Sequence, residues 1–104
     1  MLKELETENF NEEIKNKLVL VDFYAVWCGP CKMMHPILEQ VKDIYPDLKI
    51  IKVNVDEHED LTRQYGVMSI PTLLLFKDSS VVEKNVGFMP LENIKLWIDR
   101  YLEK

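Results

Sequence analysis

Glycine is scarce in this chain, with three among 104 residues, and five prolines add little more. That composition leaves little room for linkers. At this length the chain is expected to form one domain, residues 1–104, burying roughly two-thirds of its unfolded surface. Positive charge is also short: 13 basic against 18 acidic residues give a net charge of -5. The deficit argues against nucleic acid or an anionic membrane as partner, since both reward a basic face. No run approaches the ~20 apolar residues of a membrane helix. The opening Met1–Phe10 scatters Lys3, Glu4, Glu6 and Glu8 among its apolar residues, so it lacks the apolar core of a signal peptide. A cytoplasmic location is therefore expected. Cysteine completes the shortages, for the chain has only two.

Both cysteines fall in Trp27-Cys28-Gly29-Pro30-Cys31-Lys32. Two thiols separated by two residues can close into a disulfide and reopen, which makes the pair a candidate redox switch. A staple across about four residues removes only roughly 2 kcal/mol of unfolded-state entropy, against about 4.7 for a 100-residue loop. Stability is a poor reason for it. The run Leu18–Ala25 before the pair is densely apolar and suits a buried strand, while Met33, Met34, Ile37, Leu38, Val41 and Ile44 after it follow helical spacing. Cys28 thus stands where a strand hands over to a helix. Free amide N–H groups and the dipole there favour a thiolate over a thiol, which marks Cys28 as the nucleophile. Cys31, one turn further in, is expected to be more buried and to act as the resolving thiol.

Elsewhere the pattern predicts a short strand near Leu2 to Leu5 and a helix from Phe10 to Lys15, with Asn9 and Glu12 in capping-box spacing. Pro36 is expected to bend the long helix, which runs to about Tyr45. A strand follows over Lys49–Val55, then a helix from Glu57 to Tyr65 closed by Gly66. Thr72–Phe76 and Val81–Val86 read as strands joined by a hairpin at Lys77–Ser80, and Leu91–Leu102 reads as a helix. The order β-α-β-α-β-α-β-β-α implies an α/β fold with a mixed sheet covered by helices.

Asp22 is the one charge between Leu18 and Trp27. Burial raises a carboxyl pKa and suits it to shuttle a proton; the alternative is a structural pair with a lysine such as Lys52 on the neighbouring strand. Pro71 precedes a strand, where a trans turn is the default, since cis bonds are about 5–6% of X–Pro bonds. His35 and His58 do not follow zinc-finger spacing with the cysteines, and Lys32 stands where haem attachment needs histidine, so no metal site is expected.

The run Val21–Met33, with Pro36 and the later Gly66-Val-Met-Ser-Ile-Pro-Thr72, closely resembles the thioredoxin family over nearly the whole chain. The central Gly29-Pro30 matches its reductases rather than the isomerases and oxidases of the same fold. The resemblance implies a five-stranded mixed sheet in the order 1-3-2-4-5, its fourth strand antiparallel to both neighbours, with four helices around it. It implies protein-disulfide reduction by dithiol–disulfide exchange at Cys28 and Cys31, with Asp22 helping to deprotonate Cys31 and Lys52 tuning the electrostatics. A cis Ile70–Pro71 bond would lie against the cysteines. Ile70 backbone groups, Trp27, Gly29, Pro30, Pro71 and Gly87 would bind the substrate, with Met68, Phe88 and Met89 lining its groove. The implied partners are disulfide-containing proteins and a flavin reductase drawing on NADPH; the chain would be a monomer with no cofactor of its own. A binding subunit that grips partners through the same face, without turnover, is the alternative. Tyr24 stands where many members carry tryptophan, His35 replaces a commonly small residue, and Asp78-Ser79-Ser80 lacks the usual turn glycine.

Overall fold

The computed structural model describes residues 2–15 and 18–102. Nine elements follow one another: β1 (Lys3–Glu4), α1 (Phe10–Glu13), β2 (Leu18–Tyr24), α2 (Gly29–Ile44), β3 (Lys49–Asn54), α3 (Glu59–Gln64), β4 (Thr72–Lys77), β5 (Ser80–Val86) and α4 (Leu91–Leu102). The strands form one sheet in the order β1-β3-β2-β4-β5. β2 runs parallel to β3 and antiparallel to β4, and β4 is antiparallel to β5 as well. This is the mixed five-stranded, four-helix arrangement that the resemblance implies.

Side-chain alternation along the central strands builds two apolar layers. On one face Leu20, Ile50, Leu73 and Leu75 meet Met34, Leu38 and Val41 of α2 and Ile94 and Ile98 of α4. On the other, Val19, Val21, Phe23, Ile51, Val53, Leu74 and Phe76 pack with Phe10, Leu61 and Tyr65. Phe10, Tyr65 and Phe76 form a triangle of edge-on rings, with centroids 5.4–5.6 Å apart.

Several boundaries are tighter than the pattern suggests. β1 is two residues long, and α1 ends at Glu13. Asn9 caps the helix without a capping box: its side chain accepts from Asn11 N–H, whereas Glu12 turns to Lys15 at 3.1 Å. α2 continues through Pro36. Gly66 follows α3 at φ 66°, and the turn between β4 and β5 places Asp78 and Ser79 at φ 51° and 72°. Two consecutive left-handed residues match the twist of a tight hairpin, and Asp is one of the few side chains that adopts this conformation readily. The hairpin therefore closes without a glycine.

Candidate active site

β2 and β3 end side by side because they are parallel and in register, Tyr24 against Asn54. From that end the chain turns through Ala25-Val26-Trp27, with Cys28 N–H donating to the Ala25 carbonyl at 3.2 Å. Cys28 is the N-cap of α2. Its Sγ accepts from Cys31 N–H at 3.2 Å, so an unpaired amide of the first helical turn points at the sulfur. Cys28 and Cys31 are disulfide-bonded, with Cα atoms 5.2 Å apart. Both are buried, Cys31 only marginally more than Cys28. What distinguishes them is the amide. Gly29 and Pro30 open the helix on the exposed side.

A second loop closes over the sulfurs. Ile70–Pro71 is cis. Thr72 Oγ1 donates to the Ser69 carbonyl at 2.6 Å, and the Ile70 carbonyl lies 3.9 Å from Cys28 Sγ. Gly87 N–H donates to the Pro71 carbonyl at 2.7 Å, which brings the start of a third loop alongside; Gly87 sits at φ 96°. Trp27 is 68% exposed, and its Nε1 donates to Asp56 Oδ2 at 2.9 Å. Val26, Met33, Met68 and Phe88 are also exposed, Met68 at 95%. Met89 departs from expectation: it is buried against Met34, with its N–H 3.4 Å from the Met34 sulfur, and belongs to the core rather than to a groove.

Asp22 lies beneath, on the face of β2 that also carries Leu20 and faces α2. It is fully buried, and neither carboxylate oxygen has a hydrogen-bond partner among the described residues. Burial pushes its pKa up to about 7; the Lys52 ammonium pulls it down and Glu4 pushes it up, both more weakly. Lys52 is in register with Asp22 on β3. Yet no ion pair joins them among the described residues. The ammonium is instead 3.1 Å from His35 Nδ1 and 4.2 Å from the centre of the Tyr24 ring, whose hydroxyl donates to Glu4 at 2.6 Å. Tyr24, Ala25, Val26, Cys31, Lys32, His35 and Lys52 line a cleft of about 350 Å³ that reaches Cys31 from the side.

Sequence reasoning missed Asp56 as the partner of Trp27 and His35 as the partner of Lys52. Asp56 was accessible from topology, since it leaves β3 beside the turn after β2, whereas His35 meets Lys52 only through packing of α2 on the sheet.

The family model named Thioredoxin matches residues 1–100. Thioredoxin from Bacillus subtilis is 48% identical over 96 residues, covering 91% of this chain and 92% of the relative. That from Listeria monocytogenes is 45% identical over 103 residues, 98% of this chain and all of the relative. The chain belongs to the thioredoxin family. Solved structures agree with the fold: a mutant thioredoxin from Halobacterium salinarum superposes with a TM-score of 0.87 at 37% identity, over 95% of this chain and 88% of the other. Plasmodium falciparum thioredoxin gives 0.86 at 35% identity, over 96% and 99%. As a thioredoxin the chain is a protein-disulfide reductase that works by dithiol–disulfide exchange at its Cys28–Cys31 pair. Its partners are, in general, disulfide-containing proteins and a reductase that regenerates the dithiol. Among the described residues no helix is long and apolar enough to cross a membrane.

Proposed function

We propose that Cys28 attacks and Cys31 resolves. In the reduced protein the Cys28 thiolate attacks one sulfur of a target disulfide; a Cys28–target bond forms, the target bond breaks, and the departing thiolate takes a proton. Cys31 then gives up its proton, with Asp22 and water receiving it, and attacks Cys28. The Cys28–Cys31 bond forms, the mixed disulfide breaks, and the second target sulfur leaves. Two electrons have passed to the target. The observation that carries this order is the Cys31 N–H held on Cys28 Sγ at the N-cap of α2, an arrangement that favours negative charge on Cys28 once the disulfide is reduced.

Asp22 fits the proton step because it is buried, without a hydrogen-bond partner among the described residues, and poised near neutrality. Lys52 tunes it. Target docking is assigned to Ile70 backbone groups, Trp27, Gly29, Pro30, Pro71 and Gly87, with Met68 and Phe88 on the rim. The chain acts as a single domain and a monomer in the cytoplasm, maintaining redox homeostasis there, and is recharged by a flavin-containing, NADPH-dependent thioredoxin reductase. Insulin-disulfide reduction coupled to such a reductase tests the reading. Equilibration with glutathione should place the potential near the value typical of thioredoxins, about -270 mV, and one above about -200 mV would favour an oxidase or isomerase.

A further inference from the structure

Asp22 and Lys52 are register partners on adjacent strands of one sheet face, and burial gives an unpaired carboxylate every reason to take a neighbouring ammonium as its partner. Both Asp22 oxygens nonetheless remain unpartnered among the described residues. The ammonium is engaged elsewhere. It can only donate, so His35 Nδ1, 3.1 Å away, is the acceptor. A neutral ring accepting at Nδ1 carries its hydrogen on Nε2, and Nε2 faces Glu39 Oε2 at 3.4 Å on the same helix. The tautomer is thus set from both sides. Below the ammonium lies the Tyr24 ring, itself anchored to Glu4. The remaining charged groups nearby are Lys32, lining the same cleft, and Glu57, which acts on Tyr24.

We propose that His35 is a positioning residue: by accepting a hydrogen bond from Lys52 it holds the ammonium over Tyr24 and away from Asp22, keeping that carboxylate unpaired. The consequence rests on the reading of Asp22 as proton acceptor for Cys31. A carboxylate paired with an ammonium is a weak base, whereas an unpaired buried one takes a proton readily. His35 therefore acts through Lys52, and among the described residues its polar partners are Lys52 and Glu39 rather than either sulfur.

The carboxyl titration of Asp22 in the oxidised protein, followed by carbon NMR, reports the position of Lys52 directly. His35→Ala should move the Asp22 midpoint to lower pH by about 1 or more, as Lys52 turns to the carboxylate. His35→Asn, which keeps a short side-chain acceptor, should restore it, and His35→Ala in a Lys52→Met background should have no effect. An unchanged or raised midpoint in His35→Ala, or a shift of the same size without Lys52, would overturn the proposal. Resolution of a trapped mixed disulfide separates the underlying reading: if Asp22→Asn leaves that rate unchanged, the role of Asp22 fails, while the titration still decides the role of His35.

Discussion

The two faces of β2 share one backbone and comparable burial but carry different chemistry. Val19, Val21 and Phe23 pack with apolar and aromatic side chains, among them Phe10 of α1, Leu61 of α3 and Tyr65. Leu20, Asp22 and Tyr24 meet the side that carries the cysteines, and there the pattern of inward apolar residues is broken by a buried carboxylate with no hydrogen-bond partner among the described residues. A strand needs only its first kind of face to fold. The carboxylate on the second costs free energy at neutral pH, and local rules of stability are most often broken at functional sites, which accords with the proton-accepting role proposed for Asp22.

The comparison can be broken hardest on the apolar face. Phe23→Ala should lower urea stability by about 3–5 kcal/mol, while the Asp22 titration midpoint stays in place. A midpoint that moved with Phe23 would mean the faces are not independent.

On the polar face the sign reverses. An unfolded aspartate releases its proton near 3.8, whereas Asp22 holds its proton up to about 7. Between those values the folded chain binds more protons, so stability falls as pH rises through the window and stays level above it. Asp22→Asn should therefore stabilise the oxidised protein by about 2–4 kcal/mol at about pH 8. The gain should vanish below about pH 4. The same variant should slow resolution of the mixed disulfide, and lost stability with an unchanged rate would refute the assignment.

Smaller effects sharpen the picture. Lys52 holds the Asp22 pKa down, so Lys52→Met should raise the midpoint by about 1. Far from both faces, Ser79→Gly should relieve a left-handed residue and add about 0.5–1 kcal/mol without changing disulfide reduction, as thermal unfolding and insulin turnover would show.

Much of this was legible in the residues. Dense apolar runs and helical spacing located the elements, and the strand-to-helix handover placed Cys28 at a helix N-terminus. Strand order and the cis bond came from the resemblance, because local spacing does not fix which strands pair. Three features were not legible. The capping-box spacing at Asn9 and Glu12 could not reveal that Glu12 turns to Lys15. Met89 reads like its exposed neighbour Phe88 until α2 supplies Met34 against it. Lys52 was a plausible partner for Asp22 because the competing acceptor, His35, lies 17 residues away and meets it only through packing of α2 on the sheet. Nor did burial separate the two thiols as expected; a single amide hydrogen bond does so.

That hydrogen bond makes the order of attack the central claim, and limited alkylation of the reduced protein at neutral pH, with peptide mapping of the label, tests it most directly. The account predicts that Cys28 is modified first and that Cys31 reacts only later. Labelling of Cys31 ahead of Cys28 would contradict it.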